Sequence, residues 1–146
     1  MNKKGVTLIE LIVVFVIIAV LALLIAPNIG GFLPSYRLRS ATRDIVSTFR
    51  AAQMRAISEQ ISYTVSFNSG DTGRTNNTAY ILIPGGAVTT LPPGVTVVSN
   101  TLAGLSAVFN SDSSCTSAPG SITLQNTRGT QRIITIRSAT GKVTIQ

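Results

Sequence analysis

The chain has 146 residues, 45% of them hydrophobic, with twelve Lys and Arg against five Asp and Glu, no histidine and one cysteine. That length holds one modest domain beside any anchor, and a lone cysteine without histidine leaves no internal disulfide and too few ligands for a Cys/His metal site. A nucleophilic serine would have only Lys142 or a carboxylate as its base, and the acids Asp44, Glu59, Asp71 and Asp112 are scattered, so the residues indicate no enzyme, no catalytic group, no metal and no cofactor.

The positive charge is not uniform. Lys3 and Lys4 open the chain, five arginines in residues 28–60 face only Asp44 and Glu59, and Arg128, Arg132, Arg137 and Lys142 face Asp112 near the end. Such a balance suits nucleic acid or an anionic surface, but it is also the ordinary charge of a soluble face.

The first element is the run VTLIELIVVFVIIAVLALLIA, residues 6–26. Its 21 residues span about 31 Å as a helix, close to the hydrocarbon thickness of a bilayer, so it reads as a membrane helix. A cleaved secretory signal is the rival reading. Against it stand the length of the run, the acid Glu10 at its start, and Pro27 directly after the best small-residue site at Ala26. Lys3 and Lys4 on one side are balanced by Arg37, Arg39 and Arg43 on the other, so charge alone leaves the orientation open. Glu10 is the one ionisable group in the run, and a carboxylate near the bilayer centre costs about 2.5–3.5 kcal/mol.

Pro27, Gly30, Gly31 and Pro34 follow within eight residues, a density of breakers that predicts a kink or hinge over 27–34. From Ser35, a plausible N-cap, Leu38, Ala41, Ile45, Phe49, Ala52 and Ala56 recur at three- and four-residue steps, an amphipathic helix to about Glu59 with the arginines mostly off its stripe. The period then changes to two: Ile61, Tyr63, Val65 and Phe67 alternate with Ser62, Thr64 and Ser66. Residues 68–78 read as a polar loop and AYILI (79–83) as a short buried strand. PGG (84–86) and PPG (92–94) read as turns, VTVV (95–98) and LSAVF (105–109) as strands, and 110–120 as a flexible loop with an exposed Cys115. SITLQ, TQRIITIR and KVTIQ close the chain as a meander. The expected fold class is α+β, one long helix on a mostly antiparallel sheet.

Lys3-Lys4-Gly5 followed by Val6-Thr7-Leu8-Ile9-Glu10-Leu11 resembles the class III prepilin signal of type IV pilins and type II secretion pseudopilins. The resemblance implies cleavage between Gly5 and Val6 by a membrane prepilin peptidase, removing residues 1–5 as a leader, and methylation of Val6, where the family usually has phenylalanine. Glu10 and Pro27 then fall at family landmarks, mature positions five and twenty-two. Cleavage places a cationic amine in the same apolar layer as Glu10, and in a stack of subunits a neighbour's amine can neutralise that carboxylate, rewarding assembly; Thr7 belongs to the same assembly segment. A Glu10 that snorkels to the membrane surface is the alternative.

The stretch from Arg37 to Phe67, together with LSAVFN and the closing ITLQNTRGTQRIITIRSATGKVTIQ, is similar to the GspH/FimT class of minor pilins and pseudopilins. The resemblance implies a type IV pilin-like fold: a transmembrane half-helix at 6–26, an amphipathic half-helix, and an extracytoplasmic domain at 35–146. It implies other pilins or pseudopilins, the prepilin peptidase and an inner-membrane assembly platform as partners, a single pass through the inner membrane, and work as a structural subunit. A second reading is a minor pilin that captures DNA for uptake, through Arg128, Arg132, Arg137 and Lys142. Members with that role end in a basic glycine-arginine motif, where this chain has Gly141-Lys142 and one cation in place of two. Strand parity puts Arg132 with Ile134 and Ile136 and Arg137 with Ile133 and Thr135, on opposite faces, and no aromatic side chain stands among residues 110–146 for bases to stack on.

Overall fold

The computed structural model describes residues 6–25, 29–74 and 77–146. The chain forms two compact units, Met1–Leu33 and Pro34–Gln146. In the first, helix α1 runs over Leu8–Ile25. Its large apolar side chains stand exposed on every side, as in Leu8, Leu11, Val14, Phe15 and Ile18. Among the described residues no helix is long and apolar enough to cross a membrane. The 18 residues of α1 rise about 27 Å, a few ångströms short of the roughly 30 Å of hydrocarbon that the full apolar run would match.

Helix α2 spans Ile29–Glu59 with Pro34 inside it. Gly30, Gly31 and Pro34 lie within this helix and Pro27 falls outside the described residues, so the helix runs through most of the stretch where a kink or hinge was expected. The expected N-cap at Ser35 is corrected, because helical backbone already begins at Ile29. Proline's fixed φ is compatible with helix, but inside one Pro34 removes a hydrogen bond and crowds the carbonyl of Gly30, which is the physical cause of a kink rather than of a helix start. The end at Glu59 is as expected. From Pro34 onward the helix buries Leu38, Ala41, Ile45, Phe49, Ala52 and Ala56, the stripe read from the sequence, and adds Thr42 and Val46 to it.

The strands divide into two four-stranded antiparallel sheets rather than one. The first has the order β3(Thr89–Thr90), β2(Ala79–Ile83), β1(Tyr63–Ser66), β5(Ser106–Phe109), and the second β4(Val95–Asn100), β6(Gly120–Asn126), β7(Gln131–Ile136), β8(Val143–Ile145). β1 pairs Val65 with Leu82 and Ala107. β6 pairs Ile122 with Ile134, which in turn pairs with Ile145. The β4–β6 register shifts between Val97 and Ser99. β1 is shorter than the alternation suggested, since Ile61 lies before it and exposed. The loop at 68–78 holds one helical turn, Ser69–Thr72, capped by the Asn68 side chain on the Gly70 N–H and by Gly73 in the left-handed region.

A single core joins helix and sheets: Phe49 meets Phe67 edge-on at 6.3 Å and Phe109 at 5.8 Å, and Phe67 meets Tyr80 at 5.7 Å. Cys115 belongs to this core, which corrects the expectation of an exposed thiol. It pairs in an isolated bridge with Phe109, and its N–H donates to the Ser138 carbonyl. Burial pushes its thiol above the usual range, against the lowering effect of nearby backbone N–H groups. Because the folded value lies above the unfolded one of about 8.5, the stability tied to the protonated thiol is intact at neutral pH and is lost as pH rises through it. Native protein should therefore react with iodoacetamide at pH 7.5 at least a hundredfold more slowly than urea-unfolded protein, an expectation that equal rates would overturn.

Candidate functional site

The amino end of α1 carries the first candidate site. The Thr7 carbonyl accepts the N–H of Glu10 at 3.1 Å and of Leu11 at 3.3 Å, which makes Thr7 the N-cap residue and puts Glu10 in the first turn. The spacing Thr7-x-x-Glu10 is that of a capping box, in which the glutamate would reach back to the cap N–H. No such bond forms: among the described residues the Glu10 carboxylate has no hydrogen bond or ion pair, and residues 6–33 contain no lysine or arginine. The first-turn position gives the carboxylate a modest favourable interaction with the helix dipole and no more. Val6 is exposed beside it, and Gly5 lies outside the described residues.

The four basic residues at the carboxyl end do not come together. Arg128 sits in the β6–β7 turn, where its N–H donates to Asn126 Oδ1 at 3.0 Å, and Arg132 pairs with Leu124 at the start of β7. Arg137 follows β7 at its other end, and its N–H donates to the Lys142 carbonyl at 3.1 Å. Five residues of extended chain separate Arg132 from Arg137, about 17 Å. Two pairs of cations therefore occupy opposite ends of one strand. Parity is as expected: Ile134 and Ile136 are buried on the face that Arg132 shares, and Arg137 is exposed.

Gly141, between those cations, has a packing role. Its φ is +56°, and a Cβ there would come within 2.5 Å of the Ser113 carbonyl oxygen and 2.7 Å of Gln53 Nε2. Gln53 Nε2 donates to the Ser113 and Thr140 carbonyls, at 3.1 Å each. This one side chain ties α2 to the Cys115 loop and to the β7–β8 turn.

Sequence reasoning passed over a third group. Arg39 and Arg43, one turn apart on α2, line a cleft of about 230 Å3 with Thr42, Arg132 and Ile145. The i, i+4 spacing was visible in the sequence, but their meeting with Arg132 depends on the fold. Arg37 on the same helix is engaged elsewhere, donating to the Pro93 carbonyl at 3.1 Å. Acids in this unit are held by their own neighbours. Tyr63 donates to Glu59 at 2.6 Å, Ser66 to Asp71, and Ser114 to Asp112 at 2.6 Å, which with the Ser114 N–H holds the Asp112 carboxyl below the usual range. Among the described residues no group of three or more His, Cys, Asp or Glu could hold a metal.

Residues 1–26 match the family model of the prokaryotic N-terminal methylation motif. No curated protein sequence matches the chain. Two crystal forms of the type IV minor pilin FimU from Pseudomonas aeruginosa share the fold. One has a TM-score of 0.55 at 14% identity over 75% of this chain and 92% of that one. The other has a TM-score of 0.56 at 15% identity over 80% and 92%.

Proposed function

We propose that this chain, which carries a prokaryotic N-terminal methylation motif ahead of a type IV pilin-like fold, is a minor structural subunit of a type IV pilus or type II secretion pseudopilus. Prepilin peptidase cuts between Gly5 and Val6 and the new amine is methylated. The apolar run of residues 6–26 holds the subunit in the inner membrane as a single pass, with residues 35–146 on the extracytoplasmic side, until an assembly platform moves it into a filament with other pilins. The observation that carries this reading is the unsatisfied Glu10 carboxylate in the first turn of an otherwise apolar helix. A charge left alone at the bilayer centre costs about 2.5–3.5 kcal/mol, and the cost falls toward the helix end where Glu10 lies. Paired with the amine of a neighbouring subunit that cost falls, so the lowest-energy place for the helix is beside another like it.

Glu10→Leu should leave the amount of chain in the membrane fraction unchanged and lower its share in sheared or pelleted filaments at least tenfold. Unchanged incorporation would sink the pairing mechanism. The DNA-capture reading is the weaker one, because its four cations sit at two ends of β7 about 17 Å apart with no aromatic residue among 110–146. An Arg132/Arg137/Lys142→Ala variant of the full chain should bind duplex DNA no more weakly than the unaltered chain across a salt series; a shallower salt slope would favour DNA capture.

A further inference from the structure

The cleft lined by Arg39, Thr42, Arg43, Arg132 and Ile145 does not end at Arg43. A second cleft of about 400 Å3 continues along α2, lined by Arg43, Val46, Ser47, Arg50, Met54 and Ile145. Arg43 and Ile145 are common to both, so helix and terminal strand present one surface with four guanidinium groups and an apolar margin. No carboxylate lines either cleft. The two hydroxyls in the lining are already committed, Thr42 to the Leu38 carbonyl at 2.7 Å and Ser47 to the Asp44 carbonyl at 2.8 Å. Arg39, Arg43, Arg50 and Arg132 have no hydrogen bond or ion pair among the described residues.

Like charges gathered around a concavity repel one another, and the low-dielectric walls focus their field outward. A guanidinium is planar and forked, suited to grip a carboxylate with two parallel hydrogen bonds. The margin carries Met54, 64% exposed, and Ile145, 42% exposed. Arginine and methionine beside aliphatic groups are the composition of a protein interface. A nucleic-acid backbone would instead need an extended cationic track, and single strands would need aromatic platforms.

We propose that this face docks a different protein subunit, whose Asp or Glu carboxylate enters the Arg39–Arg43–Arg132 cleft while its apolar side chains cover Met54 and Ile145. The inference rests on the filament reading above and names the chemistry of one neighbour. A second copy of this chain is a poor occupant. Its net charge is +7, or +5 once Lys3 and Lys4 leave with the leader. Glu10 is taken up by the helix pairing proposed above, and Asp44, Glu59, Asp71 and Asp112 each accept from a hydroxyl of their own subunit. The neighbour is therefore acidic where this chain is basic.

The test uses the full-length chain in its own cell, with a benzophenone amino acid in place of Met54 and photo-cross-linking of the isolated filaments. The expected result is a cross-link to a segment of a different filament subunit that holds Asp or Glu beside apolar residues. Arg43→Glu with Arg132→Glu should lower its yield at least tenfold, and reversing the mapped acid to Arg should restore it. Arg43→Gln with Arg132→Gln should weaken it without changing the melting temperature, separating docking from folding. A yield within twofold in the charge-reversed chain, or cross-linking chiefly to nucleic acid or to another copy of this chain, overturns the proposal. Absence of the unaltered chain from the filament fraction overturns the filament reading and this inference with it; presence there with a charge-insensitive cross-link overturns this inference alone.

Discussion

Phe49→Ala should lower the stability of the unit Pro34–Gln146 by about 4 kcal/mol, within the 3–5 kcal/mol typical of deleting a fully buried phenylalanine. Phe49 is wholly inaccessible and meets two rings, Phe67 just after β1 at 6.3 Å and 68°, and Phe109 at the end of β5 at 5.8 Å and 50°. Its removal leaves a cavity between helix and sheet and takes away both aromatic contacts, which add about 0.5–1.5 kcal/mol each to simple area burial. Against a total of about 5–15 kcal/mol the loss is large. With a urea slope of about 2 kcal/mol per molar, the midpoint should fall by about 2 M at unchanged slope. A fall corresponding to less than 1 kcal/mol would mean that α2 is held to the sheet by something other than this ring. Because α2 presents Arg39, Arg43 and Arg50, the same variant should also weaken any partner bound to that face, whereas Arg43→Gln should stay within about 0.5 kcal/mol of the parent in stability.

Gly141→Ala should be the second large effect, about 2–3 kcal/mol or a drop of roughly 8 °C or more in melting temperature. Two costs combine. The left-handed backbone at φ +56° disfavours any side chain, and the new Cβ meets the Ser113 carbonyl oxygen, a backbone atom, at 2.5 Å. Relief requires the Gln53 amide to give up a carbonyl it now satisfies, at 3.1 Å from Ser113 or Thr140. Gly94→Ala makes a fair comparison, since its φ is also positive but its nearest neighbour is the side-chain methyl of Thr127 at 3.0 Å, which can move. It should cost about 1 kcal/mol. Equal melting temperatures for the Gly141 and Gly94 variants would refute the three-way junction. A glycine beside a lysine in a basic tail invites a reading in terms of ligand binding; at Gly141 the close approach of α2, the Cys115 loop and the β7–β8 turn accounts for it without one.

What could be read before the fold was known follows the range of the interactions. The α2 stripe is set by a period along one helix, so Leu38 to Ala56 were all assigned correctly, and strands such as Ala79–Ile83 matched to the residue. The helix start was placed too late, at Ser35, because local propensity weighs Gly30, Gly31 and Pro34 one by one and takes no account of the helix on either side. Cys115 was misread because its neighbours Asp112, Ser113, Ser114 and Thr116 are polar, whereas its burial comes from Phe109 and Ser138, brought to it by the bridge and the hairpin. Glu10 was legible as a candidate site, since one charge in an apolar run has no local reason to be there. The arginine face was not. It requires Arg132 and Ile145, which lie about ninety residues or more from Arg39 and Arg43, and parity tells which side of β7 a residue takes but not what stands opposite.

The edges of the two sheets have a consequence for how such a molecule can multiply. β3 is two residues long, β8 three and β5 four, β4 is broken by its register shift after Val97, and Lys142 stands at the entry to β8. Each is a known way of denying an incoming strand a flat row of free backbone groups. The unit Pro34–Gln146 is thus poorly suited to extend itself by adding strands from other copies, however high its local concentration. An ordered polymer built from it would have to grow through helices and side-chain faces, which keeps it from the irreversible ladders that open sheets form.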